Sequence, residues 1–477
     1  MVSKSKRVLA LVLTAMMASA ALAGCGPTEV TQTQNSTAGE TTESKAAGDS
    51  AESGDGESKA SAEAVDIYSD EMIKNVKDKM KEEAAQTDGV ISLKVWCSGD
   101  DLQFEKKLIK EFEELYKSDD GSYSFKIKAS GAIGEDNAGG KIIESPQDGA
   151  DVFNFADDQL STLVEAKAIA QVSDVFQNNL IANNTEDAVG VCSINGTPYA
   201  FPKTSDNGYF LYYDKRVFKD DSEVASFDDM IQKANSNKKS VYFNLTNGWY
   251  NAGVYFTAGV KIEYKDGKQT TTFDSDEGLA AAKAMCHLAE SSDKGFLGTA
   301  GSSGDNAAVQ KGFKEGTLAA AVIGTWMGPA IKEAIGEENV GAAKLPTILI
   351  NGEQKQTESF GGYKIVGVNQ FSKYQITSQA LAYFLTRPES QLKRYEERGL
   401  IPTSNEALAN DKVKVDPALK AINDQKAYAH AQGKSVSGVF WASNVGGFGG
   451  EIVAAKGKID DAALKKSLKD LDEQINK

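Results

Sequence analysis

A repeated order of strand, polar turn and helix constrains the fold of this chain most strongly. Residues 91–96 alternate apolar and other side chains, and Ser98-Gly99-Asp100-Asp101 then supplies a turn and a helix cap before apolar residues recur at helical spacing over 104–115. The same order returns over residues 151–164. Such units predict an α/β fold with a mostly parallel sheet flanked by helices, whose ligand lies beyond the carboxyl ends of the strands.

Two strands with a polar segment between them follow the second unit. Asn195-Gly196 indicates a turn, residues 199–202 form a short strand closed by proline, and residues 209–213 form a strand rich in β-forming residues. The segment 203–208 is polar and is expected to cross between domains. Further helices are predicted over 277–290, 375–385, 388–398 and from 460 towards the C-terminus.

The N-terminus carries an export signal. A basic start and an apolar run over residues 8–21 precede Leu22-Ala23-Gly24-Cys25, and the run is shorter than the roughly 20 residues that span a membrane. The pattern predicts that residues 1–24 are removed and that Cys25 is lipidated, which anchors the protein outside the cytoplasm. The alternative is a plain secretory signal with an incidental cysteine.

Segments of different composition separate this signal from the body. Residues 25–66 have almost no apolar side chain large enough to pack, which predicts a disordered tether that could carry the body into a cell wall and favours a Gram-positive envelope. Residues 67–88 predict a helical extension, because Met72, Val76 and Met80 share one face, and this helix either packs on the body or extends the stalk. The remaining chain exceeds the size at which one core keeps growing, so two domains are expected.

Charge and cysteine usage exclude several classes of function. The net charge of −16 opposes a nucleic-acid partner, because phosphates require clustered Lys and Arg. After Cys25, the cysteines Cys97, Cys192 and Cys286 have neither disulfide nor metal-site spacing. The two histidines and the glycine-rich runs match no catalytic or phosphate-binding motif, so neither a metal nor a cofactor is expected.

Motifs spread over more than 300 residues resemble one family. They are Val95-Trp96 with Gly99-Asp100, Ala150-Asp151-Val152-Phe153, residues 196–202 with 211–215, Phe243-Asn244-Leu245, Gly324-Thr325-Trp326, Leu345-Pro346-Thr347 and Phe440-Trp441-Ala442. Their order and spacing resemble the solute-binding proteins of ABC sugar importers, in the class of maltose-binding protein.

The resemblance implies a two-lobe, periplasmic-binding-protein-like fold of type II with a ligand cleft between the lobes. Lobe 1, built on the first sheet, would comprise residues 89–203 and 345–403. Lobe 2, built on a second sheet, would comprise residues 204–344 and 404–477. The chain would cross between them near residues 203–208, 345–346 and 402–403, where loops and prolines can absorb the change of dihedral angles on closure.

The resemblance also implies a set of ligand-binding residues. A neutral sugar needs carboxylates or amides that accept hydroxyl protons and aromatic rings that cover its C–H patches. The expected residues are Asp100, Asp101, Phe155, Asp158, Asp206, Asn207, Asn247, Trp249, Trp326 and Trp441. Gln159 stands where maltose binders often have arginine, and Asn247 where they often have a carboxylate.

Each of these residues also has a purely structural interpretation. Asp100, Asp101 and Asp158 could be only helix caps, and Trp441 could belong to the core, as Trp96 is expected to. Paired carboxylates such as Asp100 and Asp158 are also what a glycosidase uses, so a secreted glycoside hydrolase is the alternative function, and a passive adhesin is a third.

The prediction is a monomeric, lipid-anchored substrate-binding component of an ABC importer that performs no chemistry. Its partners would be an oligosaccharide, most simply a malto-oligosaccharide, the membrane permease subunits, and the membrane itself through the lipid anchor. A binding protein for another oligosaccharide remains an alternative.

Overall fold

The computed structural model describes residues 68–265 and 267–476, in which ten strands form two five-stranded sheets and eight form four two-stranded sheets. The strands are β1 Val90–Trp96, β2 Ser124–Ser130, β3 Val152–Ala156, β4 Ser193–Ile194, β5 Thr197–Pro198, β6 Ala200–Thr204, β7 Phe210–Asp214, β8 Ser240–Tyr242, β9 Ile262–Lys265, β10 Lys268–Thr271, β11 Phe296–Leu297, β12 Leu318–Ile323, β13 Val340–Ala343, β14 Thr347–Ile350, β15 Glu353–Gln356, β16 Ser359–Gly361, β17 Lys364–Val368 and β18 Ala429–Ala431.

Helices cover these sheets. They are α1 Asp70–Ala84, α2 Leu102–Leu115, α3 Ala138–Glu144, α4 Leu160–Glu165, α5 Asp174–Asn183, α6 Glu186–Val191, α7 Phe227–Ser236, α8 Gly248–Ala258, α9 Asp276–Ala289, α10 Asp305–Lys314, α11 Gly328–Ile335, α12 Gln375–Thr386, α13 Pro388–Arg398, α14 Asn405–Leu408, α15 Asp411–Lys414, α16 Pro417–Lys426, α17 Gln432–Ser435, α18 Gly438–Ala442, α19 Val445–Ala454 and α20 Asp461–Ile475. The helices predicted over 277–290, 375–385, 388–398 and from 460 are confirmed, with ends that differ by at most one residue, whereas the extension predicted over 67–88 is helical only over 70–84.

The two sheets have the same topology. The strand order is β2-β1-β3-β17-β6 in the first sheet and β11-β8-β12-β7-β13 in the second. In each sheet four strands share one direction, while β17 or β7 is antiparallel to both of its neighbours. Each of these reversed strands follows a segment in which the chain passes from one sheet to the other. The predicted α/β fold is therefore confirmed.

Separate cores lie against each sheet. Ile91, Leu93 and Val95 of β1 pack with α2 and α12 on one face of the first sheet. Another cluster, which includes Phe153 and Phe155, covers its other face. The second sheet has its own core, to which Leu464 and Leu468 of the C-terminal helix α20 also belong. This division places the C-terminal segment with lobe 2.

The helical extension packs on lobe 1. Val76 and Met80 of α1 are buried in the core beside β1, which settles the question that the sequence left open. The Glu83 carboxylate accepts hydrogen bonds from the Ile376 amide (2.8 Å), the Thr377 amide (3.1 Å) and the Thr377 hydroxyl (2.6 Å). Because these amides are unpaired donors at the start of α12, Glu83 acts as a cap for that helix.

The boundary expected at Leu345 is wrong. Ile348 and Ile350 of the β14–β15 hairpin belong to the core of the second sheet, so the chain returns to lobe 1 only between β16 and β17. The residue pattern misled because Leu345-Pro346 ends a strand without leaving the lobe. Lys203 and Thr204 likewise belong to β6 and not to the crossing that follows it. The other predicted limits of the lobes stay a prediction.

Two further expectations concern the cysteines and the membrane. Cys97, Cys192 and Cys286 are buried free thiols. Over the described residues, no helix combines the length and hydrophobicity needed to cross a bilayer. The predicted signal peptide, Cys25 and the tether lie outside the described residues.

Candidate functional site

A cavity of about 1100 Å³ is lined by segments that follow strands of both sheets. Asp100 and Asp158 follow β1 and β3, while Trp326 follows β12, so the cavity lies at the carboxyl ends of these strands. Nine of the predicted ligand-binding residues line it: Asp100, Asp101, Asp158, Asp206, Asn207, Asn247, Trp249, Trp326 and Trp441.

Two tryptophans form an aromatic wall on the side of lobe 2. The ring of Trp249 contacts Tyr209 edge-on at 4.7 Å between centroids and Tyr250 at 4.9 Å. Its centroid lies 6.0 Å from that of Trp326, and both rings are half-buried. Because their inner edges are packed and the rest faces the cavity, these rings offer fixed apolar surface to a ligand.

Close backbone packing holds Trp326 in place. A Cβ atom on Gly324 would lie only 1.9 Å from the Trp326 ring, so a larger residue there would displace the indole. The indole N–H donates to Asn306 Oδ1 at 2.9 Å. The glycine before the turn is therefore required for the position of the aromatic ring.

Trp441 extends the aromatic surface. Its side chain is 39% exposed, although its ring contacts Phe440 at 5.0 Å and Phe360 at 5.9 Å. The ring thus rests on the core while much of its surface remains free, which does not support assigning it to the core alone.

Asp100 and Asp158 supply acceptors on the side of lobe 1. Asp100 is exposed, and Asp158 lies inside the 3₁₀ turn Asp157–Gln159 and caps no helix. Burial raises the pKa of Asp158, whereas hydrogen bonds from Gln432 and Trp441 and the Lys364 charge oppose that rise. Within the described chain its Oδ1 atom has no hydrogen-bond partner.

Asp101 occupies the N-cap position of α2, but its side chain makes no capping hydrogen bond and belongs to a buried ion network. Its carboxylate accepts from Lys203 Nζ at 2.9 Å and from Arg398 Nε at 3.0 Å. Lys203 also contacts Glu135 at 3.1 Å and Glu105 at 3.5 Å. Burial acts to raise the pKa of Asp101, but the Lys203 ammonium outweighs it and holds the pKa well below its usual range. With both oxygens paired, Asp101 is better suited to shape the cavity floor than to bind sugar.

The two predicted residues of the crossing are also committed to protein partners. Asp206 Oδ2 accepts from the Thr325 hydroxyl at 2.5 Å and from the Ile401 amide at 2.9 Å. Burial raises the pKa of Asp206, which these hydrogen bonds oppose. Asn207 Nδ2 donates to Gln432 Oε1 at 3.4 Å. Asp206 therefore joins two of the segments that cross between the lobes and the turn after β12.

Two further expectations change with the structure. Phe155 is fully buried against Phe153 on β3, at 5.1 Å between centroids, and its assignment to the ligand is wrong because β3 is covered on both faces. Asn247 accepts from the Trp249 amide at 2.9 Å and so caps α8. Gln159, which replaces the family's arginine, is bonded to backbone at Gly139 and Glu135.

The structure adds lining residues that the sequence patterns did not indicate. They are Glu135, Asp305, Asn306, Lys364, Arg398 and Gln432. Asp305 accepts from the Tyr242 hydroxyl at 2.5 Å and from Asn244 Nδ2 at 2.8 Å. Arg398 ends the helix that was predicted over 388–398, and a glycine-flanked loop precedes Asp305, so these two positions carried a signal that could have been followed.

The arrangement suits an uncharged polar ligand. Carboxylates, amides and indole rings line the same cavity, so hydroxyl groups and C–H patches can be bound together. Within the described residues, no group of three or more His, Cys, Asp or Glu side chains is placed to hold a metal ion.

Comparisons with known proteins agree with this geometry. A maltooligosaccharide ABC transporter solute-binding lipoprotein of Streptococcus pneumoniae is 26% identical over 67% of this chain and 75% of its own. A galactooligosaccharide-binding protein of Bacillus subtilis is 26% identical over 59% of this chain and 66% of its own. The solved structure of a maltodextrin binding protein of L. casei without ligand is 25% identical, with a TM-score of 0.63 over 81% of this chain and 99% of its own.

A family profile covers most of the body that these comparisons match. The profile of the bacterial extracellular solute-binding proteins matches residues 107–421, which span both sheets and much of the cavity lining. The chain therefore belongs to the bacterial extracellular solute-binding proteins.

Proposed function

We propose that this chain is the lipid-anchored substrate-binding component of an ABC importer and that it binds malto-oligosaccharides in the cleft between its lobes. The observation that carries the proposal is the pairing of the Trp249–Trp326 wall with the acceptors Asp100 and Asp158 across one cavity. Glucose units joined in a chain present the repeated C–H faces and hydroxyl groups that such a site contacts.

The size of the cavity favours an oligosaccharide over a single sugar. Its volume of about 1100 Å³ exceeds the upper end of the roughly 300–1,000 Å³ typical of pockets for drug-sized ligands. Trp441 adds a third indole to the lining that contains Trp249 and Trp326. Successive sugar units would therefore each meet an aromatic ring.

The names of the relatives support the same class of ligand and keep one alternative open. One relative is named for maltooligosaccharides and the other for galactooligosaccharides, at equal identity to this chain. A galacto-oligosaccharide is thus the second candidate ligand. Its galactose units differ from glucose in the orientation of the hydroxyl group at C4.

The direct test is thermal unfolding with maltotriose, a galacto-oligosaccharide and single sugars. A ligand at 100 times its Kd stabilises the folded state by about 2.7 kcal/mol. We expect the largest rise of Tm with maltotriose. A rise of Tm with the galacto-oligosaccharide alone would identify that sugar as the ligand instead. A rise of Tm only with amino acids or phosphate would refute sugar binding.

We propose that the protein performs no chemistry on its ligand. The relatives and the family are binding proteins, which supports this view. Incubation with maltotriose under saturating conditions should produce no new reducing ends, whereas their appearance would favour the glycoside hydrolase alternative.

The lipid anchor at Cys25 and delivery to a membrane permease complete the proposal. The name of the S. pneumoniae relative, a lipoprotein of an ABC transporter, supports both. Cys25→Ser should prevent lipidation and leave the signal peptide uncleaved. Mass spectrometry of the N-terminus would show the unprocessed, unlipidated precursor. An unmodified N-terminus at another residue in the natural protein would refute the anchor.

A further inference from the structure

Gln432 connects groups of the cavity that come from three parts of the fold. It begins α17, directly after β18, and its side chain is 6% exposed. Its Oε1 atom accepts from Trp249 Nε1 at 2.9 Å and from Asn207 Nδ2 at 3.4 Å. Among the side chains around Asp158, Gln432 does most to oppose the rise in pKa that burial causes, which is the effect of an amide donor beside a carboxylate.

The backbone at this point packs directly on lobe 1. A Cβ atom on Gly433 would lie 3.0 Å from Asp158 Cα, closer than the neighbouring backbone permits without a shift. A larger residue at 433 would push α17 a few tenths of an ångström away from the 3₁₀ turn that carries Asp158. Gln432 is therefore held beside Asp158 by the main chain and does not depend on a flexible side chain to reach it.

Every polar group of Gln432 serves a residue that the ligand would meet. Its oxygen fixes the direction of the Trp249 indole, and its amide compensates part of the burial of Asp158. The Asp158 Oδ1 atom is buried and has no hydrogen-bond partner among the described residues, so this carboxylate depends strongly on its few neighbours. Removal of Gln432 would leave the Trp249 N–H without this acceptor and would take from Asp158 one of the few groups that stabilise its charged form.

We propose that Gln432 is the positioning residue of the oligosaccharide site, which sets the Trp249 ring and the Asp158 carboxylate in their binding arrangement across the cleft. This inference rests on the proposed function. Gln432 acts through these two side chains, so its loss should lower affinity for every sugar that uses both.

The experiment measures maltotriose binding by calorimetry at pH 5.0 and pH 7.5. Gln432→Ala should weaken binding about tenfold at both pH values, because a buried hydrogen-bonded group loses its partner. Gln432→Glu keeps an acceptor for Trp249 but places a second carboxylate beside Asp158. Its affinity should therefore be low at pH 7.5 and recover at pH 5.0, as the carboxyl pair takes up a proton.

The pH effect must be assigned to Asp158, since other charged groups lie close by. Asp157 shares the 3₁₀ turn, Lys364 lies on β17, and His430, paired with Glu358, precedes Gln432 on β18. In an Asp158→Asn background, Gln432→Glu should cause little further loss and no recovery at low pH. A pH effect that persists in this background would assign it to one of the other groups and overturn the inference.

A matched control separates positioning from folding. Gln379 is also a buried glutamine, 5% exposed, but it bonds the backbone of Ser173 and Gln171 in lobe 1. Gln379→Glu should change the Tm without a pH-dependent loss of binding. If the Gln432 variants bind maltotriose like the wild type at both pH values, the inference is overturned while the proposed function stands. If the wild type binds no oligosaccharide, the inference and the proposed function are both refuted.

Discussion

Trp326 shows how packing around a single residue can fix an aromatic ring in a position for binding. Its ring is half-buried, its N–H is bonded to Asn306, and Gly324 leaves room for the indole above the turn. A ring held in this way loses little freedom when a sugar covers it, so most of the apolar contact can appear as affinity.

Trp326→Ala should therefore weaken oligosaccharide binding far more than it weakens the fold. If the sugar covers roughly 100 Å² of the ring, at about 25 cal/mol per Å², the loss is about 2–3 kcal/mol, or roughly 30- to 150-fold in Kd. Calorimetry measures the affinity, and Phe371→Ala serves as the control because Phe371 is 49% exposed and lies outside the cavity. Unchanged affinity would remove Trp326 from the site.

Asp157 should make stability depend on pH. Burial, followed by the charge of Asp158, raises its pKa to about 7 from the ordinary value of 3.8. The folded state then holds a proton that the unfolded state releases, so the free energy of unfolding falls as the pH rises from about 4 to about 7. The slope is at most about 1.4 kcal/mol per pH unit, and water in the cavities that border this turn reduces it.

The variant Asp157→Asn tests this dependence. It should gain stability over the wild type progressively between pH 4 and pH 7, with a constant difference above that range. Denaturant unfolding at several pH values measures the gain. Asp274→Asn, at an exposed carboxylate, should show no such trend, and a flat difference for Asp157→Asn would contradict the raised pKa.

Lys203 gives the largest expected change in stability. Its ammonium is 1% exposed and forms ion pairs with Asp101, Glu105 and Glu135, of which Asp101 and Glu135 line the cavity. Lys203→Met leaves these carboxylates without their shared cation, which should cost about 3–5 kcal/mol at neutral pH. Part of the loss should return in acid as the carboxylates bind protons. Urea unfolding measures the free energy of unfolding of this variant, with Lys219→Met, at an exposed lysine, as the control. An equal loss of stability in the two variants would refute the role of the ion network.

At the scale of elements, periodicity and capping residues in the sequence predicted the helices and strands well. The helix over residues 388–398, between proline and glycine, lies where it was expected, because φ of Gly399 is +69° and ends the helix. The strand–turn–helix units also placed Asp100 and Asp158 at the cavity. Contacts between residues distant in the sequence could not be predicted in this way. Nothing in the sequence around Lys203 indicates ion-pair partners about 70 and 100 residues away. The sequence pattern around Phe155 is the same whether its ring faces a sugar or a core.

The helix α1 illustrates an element whose role the sequence left open. Glu83→Ala removes the carboxylate that caps α12, and we expect a loss of about 1–3 kcal/mol in the free energy of unfolding. Glu82→Ala is the matched control, because Glu82 is exposed and contacts only Lys79 in an ion pair of little worth. Equal stability of the two variants in urea would mean that α1 does not support lobe 1.

At the scale of the whole molecule, the segments that cross between the sheets separate two cavities. Asp206 lines the sugar cleft and also a second cavity of about 980 Å³. The second cavity is bordered by Asp187 of α6 and Lys426 of α16, which form an ion pair. When the lobes rotate about the crossings, narrowing of one cavity must widen the other. Ligand in the cleft and the contacts that border the second cavity therefore act on the same equilibrium between open and closed states.

Ligand should therefore contract the molecule. A sugar that contacts Asp158 on one side and Trp249 and Trp326 on the other favours the closed state by its difference in affinity between the open and closed states. We expect small-angle scattering of the wild type to give a smaller radius of gyration with saturating maltotriose than without it. The double variant Trp326→Ala/Trp441→Ala, at the same sugar concentration, should keep the larger radius because it binds too weakly to shift the equilibrium. An unchanged radius for the wild type, with binding verified by calorimetry on the same sample, would show that the ligand enters without closure, and the role of the crossings as hinges would then have to be abandoned.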